Sequence, residues 1–208
     1  MGLRTLSFTT TAVVLSFGVA ACTTTLTSPP GPPVTNADAA ASEPPPDTAP
    51  PACALATMPS GAGKANFGDD SAGGSAWVVR MASGTTALSV EGYESAGGPT
   101  KAASGTLRAA DMGYDTCALC VVYQTGCSTK GGATKCTKTF MPDEGGAFAL
   151  TALEMKNDGR VMGSLSAITL REVKISDSSG KTTLVQGGES LCLGEFTFRG
   201  TLTEISDV

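Results

Sequence analysis

Apolar and polar residues alternate over several short windows of the chain, the period-two pattern of half-buried strands. In Ser75–Met81, Trp77, Val79 and Met81 share one face, and in Ala87–Tyr93 Leu88 and Val90 do the same. Gly105–Ala109 is a fainter case. Cys117–Gln124 and Lys135–Phe140 are rich in β-favouring residues, and Ala147–Leu153 puts Phe148, Leu150 and Ala152 together. Asn157-Asp158-Gly159-Arg160 then reads as a tight hairpin turn, because Asn, Asp and Gly tolerate positive φ. The return from Val161 to Ile175 changes phase: Ile168 and Leu170 have one parity, while Leu165, Val173 and Ile175 have the other. A bulge or a strand that changes sheets would produce that shift. Asp177-Ser178-Ser179-Gly180 is another turn, and Leu191–Thr203 sets Cys192, Phe196, Phe198 and Leu202 on one face. Thr106–Asp111 is a weak helical window. About eight short strands predict an all-β domain, an antiparallel β-sandwich or open barrel.

The N-terminus follows a different pattern. After Arg4, residues 6–19 are apolar, Gly, Ser or Thr, too short for a span of roughly 20 apolar residues but right for an export signal. It ends in Val19-Ala20-Ala21-Cys22, which resembles the lipobox of bacterial lipoproteins: an aliphatic residue and two small ones before a cysteine. The resemblance implies cleavage after Ala21 and diacylglyceryl and acyl (palmitate) modification of Cys22. It also implies sorting to the outer membrane, since Thr23 is not the Asp that retains lipoproteins at the inner membrane. Two or more acyl chains anchor firmly, each buried CH2 contributing ~0.8 kcal/mol.

Residues 23–52 hold nine of the twelve prolines among Ala, Thr and Ser, with Leu26 and Val34 the only larger aliphatics. Such a segment cannot bury enough surface to order itself, so residues 22–52 are expected to form a disordered, extended tether. Residues 1–21 are then the signal, and residues 53–208 one domain. Losing Arg4 with the signal moves the formal net charge from −5 to −6, with basic residues scattered. Nucleic acid is excluded as a partner on that ground, because phosphate binding needs a positive surface.

Besides Cys22 there are six cysteines: Cys53, Cys117, Cys120, Cys127, Cys136 and Cys192. An even set in an exported chain reads as three disulfides in an oxidising compartment. Metal is the rival, since four of these thiols fall within twenty residues, but the spacing is not the two close pairs of a structural zinc site. A redox CxxC would need a βαβ context that is missing. Fifteen pairings are possible. A hairpin around Ser128–Ala133 would favour Cys120–Cys136, leaving Cys117–Cys127 and Cys53–Cys192.

The chain has no histidine, which removes His-based catalysis and the common transition-metal sites. Ser60-Gly61-Ala62-Gly63-Lys64 lacks both the first Gly and the final Ser/Thr of a phosphate loop. Asp69, Asp70, Asp111, Asp115, Asp143, Glu144 and Glu172 could serve a two-carboxylate hydrolase, but nearly all lie in Gly-rich turns. Asp69-Asp70-Ser71 lacks the spacing of a known calcium loop.

Cys117-x2-Cys120 in an apolar strand, Cys136-Thr137-Lys138-Thr139-Phe140, a Gly-containing hairpin and Leu170-Arg171-Glu172-Val173 together make residues 65–205 similar to cysteine-rich domains of secreted lipoproteins of myxobacteria. Met141–Gly146 departs from the Gly/Ser/Thr turn expected there. The resemblance implies an all-β fold and an envelope location, and carries no activity. The expectation is a monomeric, non-enzymatic envelope module without a cofactor, held to the membrane by lipid on Cys22 and binding an unidentified protein or glycan. A hydrolase or a calcium- or zinc-binding domain is the alternative. Cys22→Ser is expected to abolish palmitate incorporation and release the protein from the membrane fraction; undiminished labelling would defeat the lipobox assignment.

Overall fold

The computed structural model describes residues 54–59, 62–130 and 133–207, which fall in one compact unit, Ala49–Val208. These residues are all-β. The strands are β1 (Ala54–Leu55), β2 (Gly63–Asp69), β3 (Ser75–Ser83), β4 (Thr86–Tyr93), β5 (Ala103–Thr106), β6 (Leu119–Thr125), β7 (Ser128–Lys130) and β8 (Ala133–Lys135). They continue with β9 (Lys138–Glu144), β10 (Ala147–Leu153), β11 (Arg160–Ser166), β12 (Ile168–Ile175), β13 (Thr182–Leu184), β14 (Ser190–Leu193) and β15 (Phe196–Asp207). Two single 3-10 turns, Glu94–Ala96 and Ala109–Met112, are the only helical elements among the described residues. The second occupies the weak helical window.

Thirteen strands belong to one sheet in the order β1-β14-β12-β9-β6-β4-β3-β2-β15-β11-β10-β5, with β13 beside β12. The sheet is mixed: β1 with β14 and β15 with β2 are parallel, and the remaining pairs are antiparallel. It does not close, because β1 and β5 end the order. There are more strands than alternation alone predicts, for two reasons. β1, β7, β8 and β13 are two or three residues long and carry too little pattern, and the long windows break.

The break in Val161–Ile175 falls at Ala167, which sits at φ 54°. Inward residues are Val161 and Leu165 before it, Ile168 and Leu170 after it. The chain changes neighbours there, since β11 pairs with β10 and β15 while β12 pairs with β9, β13 and β14. The phase shift in the sequence is therefore a strand crossing between parts of the sheet. The expected turn at Asn157–Arg160 is present, with Asp158 at φ 60°. In Leu191–Thr203 the chain pauses between β14 and β15, so Leu193 rather than Cys192 is buried.

One core cluster includes Trp77, Val90, Phe140, Leu150, Leu193 and Leu202. Those residues come from strands near both ends of the order, so the sheet curls around a shared interior. On the other face of β6, β9 and β12 a smaller cluster holds Cys120, Val122, Met141 and Val173 against Tyr93 and Tyr114. The central strands are thus covered on both sides, which is why their sequences run apolar (Val78-Val79, Val121-Val122) rather than strictly alternating.

Cys117 bridges Cys120, and Cys127 bridges Cys136. These replace the expected Cys120–Cys136 and Cys117–Cys127 pairs. Tyr123 faces Phe140 and Thr125 faces Lys138 below the hairpin tip, and Ser128 faces Lys135 above it. The same register on both sides sets Cys127 opposite Cys136, seven residues from the register assumed from sequence. Cys117 precedes β6, so the alternation rule for strands does not govern its direction. Four thiols held in disulfides also cannot serve as the four-cysteine zinc site. Cys192 is disulfide-bonded; Cys53, its expected partner, lies outside the described residues, as does Cys22.

Trp77 is fully buried, and its indole N–H donates to the Pro99 carbonyl at 2.8 Å. Gly92 lies opposite it on β4, where an added Cβ would overlap the indole nitrogen. Gly92→Ala is expected to cost about 1–3 kcal/mol by overpacking. Because the chain has one tryptophan, denaturant unfolding followed by its fluorescence checks this; an unchanged midpoint would contradict the packing.

Candidate functional site

Leu88 and Val90 point into the core from β4, so Ser89, Glu91 and Tyr93 line the other face. That face is not fully solvated. Glu91 is 3% exposed. Ser89 Oγ donates to its Oε1 at 2.5 Å, while Tyr93 OH and Tyr114 OH donate to Oε2 at 2.7 and 3.1 Å. The Arg80 guanidinium, from β3, stands 3.9 Å from Oε1. A buried carboxylate without partners would be very costly, and here hydroxyls and a cation compensate it. The reciprocal effect falls on the phenols. Burial, then the nearby Glu91 charge, pushes Tyr93 far above the usual tyrosine range and raises Tyr114 as well.

Tyr114 arrives from the loop before β6, and several contacts hold that loop. Asp111, 2% exposed, accepts from the backbone N–H groups of Arg108 at 2.7 Å, Ala118 at 2.8 Å and Leu119 at 3.2 Å. Burial raises its pKa, but these bonds and the Arg108 side chain outweigh burial and hold it below the ordinary carboxylate range. Tyr114 N–H donates to Thr182 Oγ1 at 2.7 Å, and the Cys117–Cys120 bridge closes the loop's other end.

Glu91 and Tyr114 stand at one end of a half-open groove of about 1030 Å³ across β3, β4, β6, β9 and β12. Its floor includes Ser89, Val122, Gln124 and Thr139, and Lys138 and Glu172 flank it. Gln124 and Thr139 are register partners on β6 and β9, with the amide donating to the hydroxyl at 3.4 Å. Lys138 contacts Glu172 at 3.6 Å and Glu189 at 2.5 Å.

The carboxylates singled out by sequence do not converge. Asp69 ends β2, and Asp70 caps its own turn by accepting from Ala72 and Gly74 N–H, both at 2.9 Å. Asp111 holds the loop, Asp115 is exposed, and Asp143 pairs with Arg171 at 2.9 Å. The side chain of Glu144 is outside the described set. Of the six whose side chains are described, Glu172 alone lines the groove. Among the described residues no group of three or more His, Cys, Asp or Glu side chains could hold a metal. Both Glu91 oxygens accept bonds from hydroxyls, and so orient Ser89, Tyr93 and Tyr114.

No protein-family model matches the chain, and no curated protein or solved structure matches it. The site therefore rests on its own geometry. Sequence reading missed Arg80, Ser89, Glu91, Tyr93 and Tyr114. The available signal was Ser89-x-Glu91-x-Tyr93, an acid between hydroxyls on the outward parity of a strand.

Tyr123 is raised too, by burial, and its hydroxyl donates to the Thr57 carbonyl at 2.8 Å. All three tyrosines of the chain are thus raised in the folded state. Their neutral forms favour folding fully below the unfolded value of about 10, and that contribution is lost as pH rises above it. Near-ultraviolet titration is expected to show phenolate appearing only together with unfolding; three phenols titrating normally in a folded protein would refute the burial of this cluster.

Proposed function

We propose that this chain is an outer-membrane lipoprotein, anchored through lipid on Cys22, whose β domain is a non-enzymatic module binding a ligand in the groove over β3, β4, β6, β9 and β12. The anchoring half rests on Val19-Ala20-Ala21-Cys22 and the proline-rich spacer behind it.

One observation carries the binding half: a large groove whose polar side chains are held in place from beneath. Ligand sites are concave, with a few fixed polar groups. Ser89 and Tyr114 are fixed by Glu91, and the disulfide and Asp111 fix the loop that supplies Tyr114. Preorganisation of that kind lowers the cost of ordering side chains on binding. A two-carboxylate hydrolase fits less well. Glu91 is engaged by hydroxyls, and Glu172 pairs with Lys138 and accepts from the Glu189 N–H at 3.1 Å.

Hydrogen exchange of the full-length protein with and without a crude envelope fraction tests the reading. Slower exchange confined to 86–93, 119–125 and 138–141 is the expected result. No slowing there, or slowing on β11 and β15 instead, would remove the groove as the binding surface.

A further inference from the structure

Resting on that reading of the groove, we infer that its ligand is an uncharged oligosaccharide. Three features of the face narrow the chemistry. The first is backbone availability. β4 is hydrogen-bonded along its length to β3 on one edge and β6 on the other, and β6 bonds β9 at Tyr123–Thr125. A peptide entering as an added strand needs free backbone groups at a sheet edge, and the floor of this groove presents interior strands. Recognition falls to side chains.

The second feature is where the apolar surface lies. The lining is mixed: Val122 and Val173 are 7% and 5% exposed, while Ile175 and Val185 are half-buried and present apolar surface between the polar positions. Gln124 and Thr139 are half-buried, and Lys138 is too. An acyl chain or an apolar peptide would match only the aliphatic part of that lining, and would cover the remaining donors and lone pairs of its amide, hydroxyl and charged groups without offering them a partner, at a cost. A polyhydroxylated ligand meets amide, hydroxyl and charged groups, each able to donate to or accept from a sugar hydroxyl.

The third feature is charge. Four basic side chains line the groove, Lys64, Arg80, Lys138 and Lys174. Against them stand Glu91, Glu172 and Asp177 in the lining and Glu189 on Lys138. That balance gives no net field to draw a polyanion or a polycation. The paired ions still carry unused donors and lone pairs. The volume, at the upper end of the ~300–1,000 Å³ typical of small-ligand sites, leaves room for more than one sugar ring.

Detergent-solubilised full-length protein, probed on an array of neutral hexose and N-acetylhexosamine oligosaccharides, acidic uronic-acid oligosaccharides and peptides, tests the inference. Binding to neutral oligosaccharides is expected, with Gln124→Ala and Lys174→Ala each weakening Kd about tenfold while thermal melting stays unchanged. Arg199→Ala, on exposed surface of β15, serves as the control and should bind as the parent does. Binding to acidic oligosaccharides alone, to peptides alone or to nothing overturns the ligand class. If the envelope fraction still slows exchange in the groove, only the class falls; if that slowing is absent too, the binding reading falls with it. Equal affinity of Gln124→Ala, Lys174→Ala and parent for a neutral sugar would move the site elsewhere.

Discussion

The fold depends on the parallel pairing of β15 with β2. Without it the sheet would be two pieces, nine strands ending at β2 (β13 beside β12 among them) and four beginning at β15. The pairing runs from Gly200 opposite Gly63 to Asp207 opposite Asp69, between segments more than 130 positions apart in the chain. Parallel pairing over that distance gets no help from a tight turn, so side-chain packing has to reward the loop closure. Leu202, fully buried, and Ala65 are partners on the core face. Close backbone approach is part of the fit: a Cβ on Gly200 would come within 2.6 Å of the Ala65 Cβ. Once joined, the strands curl over one interior, and the outward face of β3, β4, β6, β9 and β12 becomes concave enough to form the groove.

The groove's character follows from how polar groups are satisfied around it. Glu91 sits on a face partly covered by the Tyr114 loop, so its oxygens must find partners within the protein. They find two phenols and a hydroxyl, and the phenols are in turn held in one orientation. Asp111 does the corresponding work for the loop itself, accepting three backbone N–H groups that would otherwise be stranded where the 3-10 turn meets β6. Two buried acids thus hold the groove's end wall rigid, one through side chains and one through backbone. The short Cys117–Cys120 bridge adds a covalent stop at the same point.

Much of the strand pattern was legible because burial on one face leaves alternation behind. β3, β4 and β10 appear almost residue for residue where Trp77, Leu88 and Leu150 mark an inward parity. The crossing at Ala167 was legible too, as a change of phase. The disulfide partners were not. Their register is set by Tyr123 against Phe140 and by the core those residues enter, and a hairpin guessed from its tip alone can slip by several residues. Glu91 was hidden for a related reason: an acid on the outward parity of a strand reads as solvated unless something covers it, and Tyr114 lies 23 positions away.

The sequence by itself determined the all-β class, most of the strands, the turns at Asp158 and Gly180, and a cysteine set suited to bridges. Those properties are local: they need only side-chain period, backbone tolerance at a few φ angles, and composition. Tertiary structure alone decided which strands neighbour which, which thiols meet, and which outward face is a groove with a covered acid at its end. These depend on contacts between residues far apart in the chain, and a one-dimensional pattern records that a residue is buried without recording against what.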